Sequence, residues 1–200
     1  MIAQDLAAVV GRIPPALRAQ THAHPIFVAG GFVRSVIAHE RVSDVDVFGP
    51  TPEMCKTLAA ELAALSGVTV IDTDYASTVP GRPPVQYVHR WTFASARELM
   101  DHFDFRIVQA AVFFDGQAWR GETAEGFYED VAAKRLTYVP GDEPESSLLR
   151  VVKYARRGYH VAPEELAAVV DQIKSMNRDT RRRMRSIDPL SAEARLERAQ

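Results

Sequence analysis

The segment from residue 25 to residue 48 constrains the fold of this chain most strongly. It opens with a short apolar stretch, which predicts a β-strand, and Gly30-Gly31 breaks that strand. A stretch long enough for a short helix follows, and Asp44 and Asp46 then alternate with valines. Alternation of this kind is the two-residue period of a strand, in which residues i and i+2 point to the same face. We therefore expect a strand, a glycine turn, a helix and a second strand that presents two carboxylates together.

Periodicity along the rest of the chain predicts a fold of mixed class. Helical patterns cover residues 3–20 (interrupted at Pro14-Pro15), 53–65 (with Thr51 as N-cap), 95–103, 142–160 and 163–176. Strand patterns cover residues 68–72 and the two arms of a hairpin, 76–79 and 85–90, while residues 105–114 are strongly apolar and 117–141 are mixed. We predict an α+β fold. A mixed sheet with helices on one side forms residues 1–140, and a small helical region forms residues 141–200.

Composition excludes several classes of protein. Hydrophobic residues make up 46% and charged residues 25%, which is typical of a globular chain. The net charge is -2, so any binding to nucleic acid must use a local basic patch. The single cysteine, Cys55, excludes an internal disulfide and a cysteine-based zinc site. No apolar run approaches the ~20 residues that span a bilayer, and no signal peptide is evident, so we expect a cytoplasmic protein with no membrane partner.

Asp44 and Asp46 are candidate metal ligands. Two carboxylates on one strand face repel each other, and a divalent cation relieves this repulsion. Mg²⁺ binds well to a few carboxylates plus substrate phosphates, and Mn²⁺ is an alternative. Metal ions held in this way activate an attacking hydroxyl and stabilise a departing pyrophosphate. A solvated strand end is the other interpretation, and it is the one we give to the second Asp-x-Asp, at Asp72 and Asp74.

Gly30 and Gly31 form a candidate phosphate-binding turn. Glycines between a strand and a helix allow backbone N–H groups to approach a ligand, and the field of a helix N-terminus favours phosphate. Arg34 follows one helical turn later and could reach the same phosphates. The alternative is a plain strand-to-helix turn with a solvated Arg34.

Taken together, these motifs resemble those of a known superfamily. Ala29-Gly30-Gly31-Phe32-Val33-Arg34-Ser35, followed by Asp44-Val45-Asp46, is similar to the signature of polymerase-beta-like nucleotidyltransferases. The branch is that of bacterial poly(A) polymerases and class II CCA-adding enzymes, and the compact phage and bacterial members are the most similar. Segments at 103–107, 126–130 and 148–156 resemble later family motifs in the same order, so the resemblance spans about residues 25–160.

The resemblance implies a site and a reaction. Asp44 and Asp46 would bind Mg²⁺, and Asp104 is the candidate third catalytic acid, with a structural salt bridge as its alternative. Gly30, Gly31 and Arg34 would hold the nucleotide. Arg150 and Lys153, on the neck-like helix, are further nucleotide-binding candidates, with a solvated helix face as the alternative. The enzyme would transfer a nucleoside monophosphate from a nucleoside triphosphate such as ATP to an acceptor hydroxyl and release pyrophosphate.

Several positions depart from the family pattern. Gln86 occupies the strand on which many relatives carry a carboxylate, and Ser35 replaces an acidic residue. Residues 143–147 lack the arginine of the base-selecting motif, and only about 40 residues follow the neck-like helix. We expect Trp91 to lie in the core, and His102 to be a surface or core residue.

The acceptor remains open among three hypotheses. An RNA 3′ end is the first, and the five arginines within residues 178–185 favour it. A small molecule or protein acceptor is the second, and a catalytically decayed nucleotide-binding module is the third. The sequence leaves the oligomeric state open.

Overall fold

The structure is a computed structural model and describes residues 1–175. Its helices are α1 (Ala3–Arg12), α2 (Pro15–Ala23), α3 (Gly31–Ile37), α4 (Pro52–Ser66), α5 (Ala96–Asp101), α6 (Phe127–Ala132), α7 (Pro144–Ala155) and α8 (Pro163–Ser175), with a 3-10 turn at Arg106–Val108. Its strands are β1 (Phe27–Ala29), β2 (Val45–Phe48), β3 (Ile71–Asp72), β4 (Ala76–Val79), β5 (Val85–Val88), β6 (Ala110–Phe114), β7 (Trp119–Thr123), β8 (Arg135–Leu136) and β9 (His160–Val161).

Seven strands form one mixed sheet. Their order is β3-β4-β5-β2-β1-β6-β7, and β8 pairs with β9 separately. Strands β2 and β5 run parallel, whereas the other neighbouring pairs of the large sheet run antiparallel. The predicted α+β fold with a mixed sheet is thus confirmed. The strand that carries the two aspartates lies near the middle of the sheet, where both of its edges are paired.

Helices cover both faces of the sheet, and not one face as expected. Strand β1 shows the alternation: Val28 belongs to the main core with α1–α4, while Phe27 and Ala29 face a second apolar cluster. Leu99 and Met100 of α5 close that second cluster. The sequence signal for this arrangement is weak, because α5 is only 6 residues long.

Helix α4 lies within the crossover that the parallel β2–β5 pair requires. Thr51 caps it by accepting a hydrogen bond from the Met54 backbone N–H at 3.1 Å, and Pro52 follows as the first helical residue. Leu58 and Leu62 on its inner face are buried, and each contributes about 1.5–3 kcal/mol by leaving water. The predicted cap and helix are both confirmed.

The C-terminal helices share the main core with the sheet. Val151 and Tyr154 of α7 and Val169 of α8 are buried in the same cluster as Val28. The proposed boundary at residue 140 stays a prediction. The basic segment 178–185 lies outside the described residues. Within residues 1–175, no helix combines the length and apolar character needed to cross a membrane.

The region after α5 differs from the sequence prediction. The apolar stretch 105–114 divides into the 3-10 turn and β6, and β7 pairs with β6 across a turn in which the Asp115 carboxylate accepts hydrogen bonds from the N–H groups of Gln117 and Ala118. Strand β7 was not predicted, because it lies at the sheet edge with partly exposed residues and lacks a clear apolar alternation.

Candidate active site

A cavity of about 230 Å³ lies between the Gly-Gly turn, strand β2 and helix α7. It brings together every predicted site residue except Arg34, because the start of strand β2, the turn before α3 and the second half of α7 meet here. The residues that matter to its chemistry are Gly30, Gly31, Ser43, Asp44, Asp46, Trp91, His102, Phe103, Asp104, Arg150, Lys153, Tyr154 and Arg157.

Asp44 and Asp46 both face the cavity, as the period of the strand predicts. Ser43 Oγ donates a hydrogen bond to Asp44 Oδ1 at 2.8 Å. The cavity gives Asp46 partial access to solvent, but its carboxyl lies deep among protein atoms. Burial, followed by the charge of Asp44, therefore raises the pKa of Asp46 to about 8, against the opposing charges of Lys153 and Arg150. Without a cation the site therefore favours the neutral carboxyl at Asp46, and a bound cation would favour the ionised form.

The two carboxylates suit a magnesium ion whose remaining ligands come from the substrate and water. Within residues 1–175, no group of three or more His, Cys, Asp or Glu side chains is arranged to hold a metal. Mg²⁺ commonly binds through one or two carboxylates and takes its other ligands from water and phosphates. Asp44 and Asp46 meet that requirement, and a cation there would relieve the burial of charge at Asp46. The identity of the metal stays a prediction.

Asp104 lines the cavity, but its charge is already paired with that of Arg150. Its buried carboxylate accepts a hydrogen bond from Arg150 Nη1 at 2.6 Å, so the salt-bridge interpretation applies to it. Gln86 lies beside Asp46 in the parallel register of β2 and β5. An uncharged amide therefore stands next to the aspartate pair on the neighbouring strand.

The two glycines of the turn have different physical roles. Gly30 adopts φ 74° and ψ -134°, and its N–H donates to the Ala110 carbonyl at 2.9 Å. A Cβ on Gly30 would lie 3.3 Å from Phe103 Cζ, whereas a Cβ on Gly31 would meet nothing within 4 Å. Gly30 thus permits the turn itself, and Gly31 leaves open space at the cavity wall.

Arg34 lies beside the cavity, not in its wall. It is 1% exposed, and its guanidinium lies over the rings of Tyr154 and Tyr159, 5.0 and 5.5 Å from their centres. Its Nη2 donates to Ser35 Oγ at 2.9 Å and lies 3.7 Å from Glu40 Oε2. The solvated alternative for Arg34 is wrong. Its contact with phosphates stays a prediction, and it would require the guanidinium to leave this packing.

Helix α7 supplies positive charge opposite the aspartates. Arg150 and Lys153 of α7, and Arg157 just after the helix, line the cavity and are partly buried, so a fully solvated helix face is excluded for Arg150 and Lys153. Burial lowers the pKa of Lys153, while the charges of Asp44 and Asp46 act against that shift. Cations one helical turn apart can neutralise a triphosphate that enters between them and the metal ligands.

Aromatic residues that we expected elsewhere also line the cavity. Trp91 and His102 lie with ring centres 5.2 Å apart, and both line the cavity. Arg90 covers Trp91 at 5.3 Å and pairs with Glu143 at 3.3 Å. Trp91 packs against the second apolar cluster, as the core prediction requires, and its exposed part lines the cavity. Its position in the cavity depends on the path of the chain after β5, which no local pattern in the sequence indicates.

Several solved structures of tRNA-processing enzymes have the same fold. The apo form I of one tRNA-processing enzyme shares 18% identity with this chain at a TM-score of 0.58, and the match covers 82% of this chain and 48% of that enzyme. The Thermotoga maritima CCA-adding enzyme complexed with tRNA shares 14% identity with a TM-score of 0.57, over 83% and 44% of the two chains. A tRNA nucleotidyltransferase bound to a primer tRNA and an ATP analogue shares 19% identity with a TM-score of 0.55, over 74% and 46%.

These comparisons establish the fold and the family of the chain. The chain spans about half the length of those structures, and the low identities show a common fold and not a common substrate. A comparison with curated protein sequences found no significant match. The Gad2 profile, described as Gabija anti-defense 2 family protein, matches residues 4–134. Because this match covers more than half of the chain, the protein belongs to the Gabija anti-defense 2 family, and it shares its fold with part of each of these tRNA-processing enzymes.

Proposed function

We propose that this protein is a metal-dependent nucleotidyltransferase. It transfers a nucleoside monophosphate from a nucleoside triphosphate to an acceptor hydroxyl, for which an RNA 3′ end is the favoured candidate, and releases pyrophosphate. The observation that carries the proposal is one cavity in which Asp44 and Asp46 face the cations Arg150 and Lys153, with open space at Gly31. Negative ligands for a cation and positive groups for a triphosphate are the two requirements of this chemistry.

Each group in the cavity has a distinct part in the reaction. Asp44 and Asp46 would hold Mg²⁺, which when bound polarises the α-phosphate and lowers the pKa of the attacking hydroxyl. Lys153 and Arg150 offset the charge that develops on the departing pyrophosphate. The absence of a side chain at Gly31 lets the triphosphate approach the backbone. Fixing the acceptor and the α-phosphorus in line then supplies much of the rate.

Few features of the cavity bear on which base and which acceptor the protein uses. Glu143 forms an ion pair with Arg90, and residues 144–147 contain no arginine. This segment therefore lacks the arginine expected of a base-selecting motif. Two of the similar structures are complexes with tRNA, which supports RNA as the acceptor class. A small molecule or a protein bearing a hydroxyl is the alternative acceptor.

A second candidate function is nucleotide binding without transfer. Gln86 stands beside Asp46 without a charge, and Arg150 engages the carboxylate of Asp104. Both features reduce the number of carboxylates free to bind metal. A module with this site would bind a nucleoside triphosphate but would not cleave it.

Transfer assays with matched aspartate variants test the proposal. The protein is incubated with α-labelled nucleoside triphosphates, Mg²⁺ or Mn²⁺ and a panel of RNAs, and labelled product and pyrophosphate are measured. Asp44→Ala should lower the rate by at least about 100-fold, or ~2.7 kcal/mol in the barrier. The control is Asp74→Ala, which alters the exposed second Asp-x-Asp and should leave the rate unchanged.

The outcomes separate the two functions. Equal rates for wild type and Asp44→Ala in every assay would end the catalytic proposal. Nucleotide binding that persists in EDTA and in the variant, with no pyrophosphate released by wild type, would favour the binding module.

A further inference from the structure

A second, larger concavity adjoins the catalytic cavity and carries mostly positive charge. Its volume is about 910 Å³. We call it the basic groove, and it is lined by Arg12, Glu40, Arg41, Val42, Ser43, Gly81, Arg82, Pro83, Pro84, Lys134 and Arg157. The lining contains several cations and one carboxylate, although the whole chain has a net charge of -2. The basic groove is therefore a local concentration of positive charge.

The cations of the basic groove come from separate parts of the chain. Arg12 ends α1, Arg41 lies between α3 and β2, and Arg82 lies between β4 and β5. Lys134 follows α6 and Arg157 follows α7. Since the five cations come from five separate segments, only the folded chain brings them together.

Most of this charge has no partner within the described chain. The lone carboxylate, Glu40, lies 3.5 Å from Lys134 Nζ and 3.7 Å from Arg34 Nη2, so it is already shared between two cations. Within residues 1–175, no carboxylate lies at ion-pair distance from the other four cations of the groove. Like charges held together in this way repel, and a polyanion would relieve the repulsion.

The basic groove is continuous with the catalytic cavity. Ser43 and Arg157 line both. Ser43 also donates the hydrogen bond that orients Asp44, so a chain bound in the groove would end beside the aspartates. We propose that the basic groove binds the sugar-phosphate backbone of a single-stranded nucleic acid and delivers its terminal hydroxyl to Asp44 and Asp46. The delivery of the end rests on the proposed function, whereas strand binding does not.

The lining favours a phosphate backbone over other polyanions. Its apolar members are Val42, Pro83 and Pro84, and no aromatic residue is among the described residues that line it. An interface with an acidic protein usually has an apolar or aromatic centre, which this groove lacks. Without aromatic surfaces for base stacking, we expect binding that depends on salt and is insensitive to base sequence.

Fluorescence anisotropy with the full-length protein tests this proposal. The probes are labelled 12-nucleotide oligouridylate and oligothymidylate, titrated between 50 and 200 mM salt in EDTA. The test variant is Arg12→Glu/Arg41→Glu/Arg82→Glu, in which every altered side chain is exposed and free of ion pairs within the described chain. This variant should bind the probes at least about tenfold more weakly. It should also reduce the steepness of log K against log salt by about 2, because each lost phosphate contact removes about 0.7 from that slope.

Two control variants distinguish the basic groove from the other basic surfaces of the chain. Lys56→Glu/Arg97→Glu/Arg120→Glu reverses three exposed charges away from the groove and should bind like wild type. A variant with the arginines of residues 178–185 replaced by serine measures any binding by that segment. Thermal unfolding of each variant confirms that it is folded. Similar affinity for both probes would indicate backbone recognition, and a preference for oligouridylate would assign the ligand to RNA.

Several results would overturn the proposal. One is that wild type fails to bind the oligonucleotides at 50 mM salt, and another is that the groove variant and wild type bind them with equal affinity. A third is that the protein binds polyaspartate and not oligonucleotides. Asp44→Ala separates the two proposals, because it should abolish transfer and leave strand binding intact. Strand binding that needs the groove, in a protein with no transferase activity, would retain this inference and end the catalytic one.

Discussion

The paired glycines offer the sharpest test of how this site is built. Alanine at Gly30 and alanine at Gly31 are the same chemical change at neighbouring positions, yet the structure predicts opposite consequences. Gly30→Ala should destabilise the fold. Gly31→Ala should leave the fold intact and weaken nucleotide binding, because its methyl group would occupy space on the cavity wall.

The magnitude for Gly30 follows from two observations. Its φ of 74° with ψ of -134° lies in a region that residues with a Cβ rarely adopt, and a residue held in such a region costs about 1–3 kcal/mol. The added Cβ would also lie 3.3 Å from Phe103 Cζ, which must shift. We expect Gly30→Ala to lower the free energy of unfolding by about 2–3 kcal/mol. Gly31→Ala should change it by about 0.5 kcal/mol or less, because its φ is not in the positive range and no atom obstructs the methyl group.

Urea unfolding followed by circular dichroism measures both effects. Binding of a fluorescent nucleoside triphosphate to folded protein then reports on the cavity separately. Equal unfolding free energies for the two variants would contradict the assignment of the turn conformation to Gly30. Unchanged nucleotide affinity in Gly31→Ala would contradict the placement of phosphates at that wall.

Two further substitutions probe the charges of the cavity. The folded-state pKa of Asp46 is raised from 3.8 to about 8, so its carboxyl contributes stability that is fully present below pH 4 and is lost as pH rises toward 8. Asp46→Asn should therefore stabilise the metal-free protein by about 2 kcal/mol at pH 7 and by little at pH 4. The pKa difference at 1.4 kcal/mol per pH unit gives ~4 kcal/mol at pH 7, which we halve because the cavity admits water. A difference in urea unfolding that did not change with pH would refute this. Arg150→Met leaves the buried Asp104 unpaired and should lower the free energy of unfolding by about 2 kcal/mol. The double variant Arg150→Met/Asp104→Asn should regain most of that loss. A double variant as unstable as the single one would contradict the pairing.

The sequence predicted the local features of the site more reliably than its assembly. The strand period at Asp44 and Asp46, the break at Gly30-Gly31 and the cap at Thr51 are each encoded within a few residues, and each appears in the structure. Strand β7 escaped prediction because its apolar alternation is weak. Helix α5 was predicted within residues 95–103, but the sheet face that it covers depends on the assembled sheet.

What the sequence determined by itself is that two carboxylates share one strand face after a glycine turn. Backbone geometry sets this locally, since alternate residues of a strand must point the same way. The tertiary structure alone decided that Arg150 neutralises Asp104, 46 residues earlier in the chain, and that Arg34 is buried under Tyr154. It also decided that cations from separate segments line one groove. Contacts of this kind depend on strand order and helix packing, which no local period specifies.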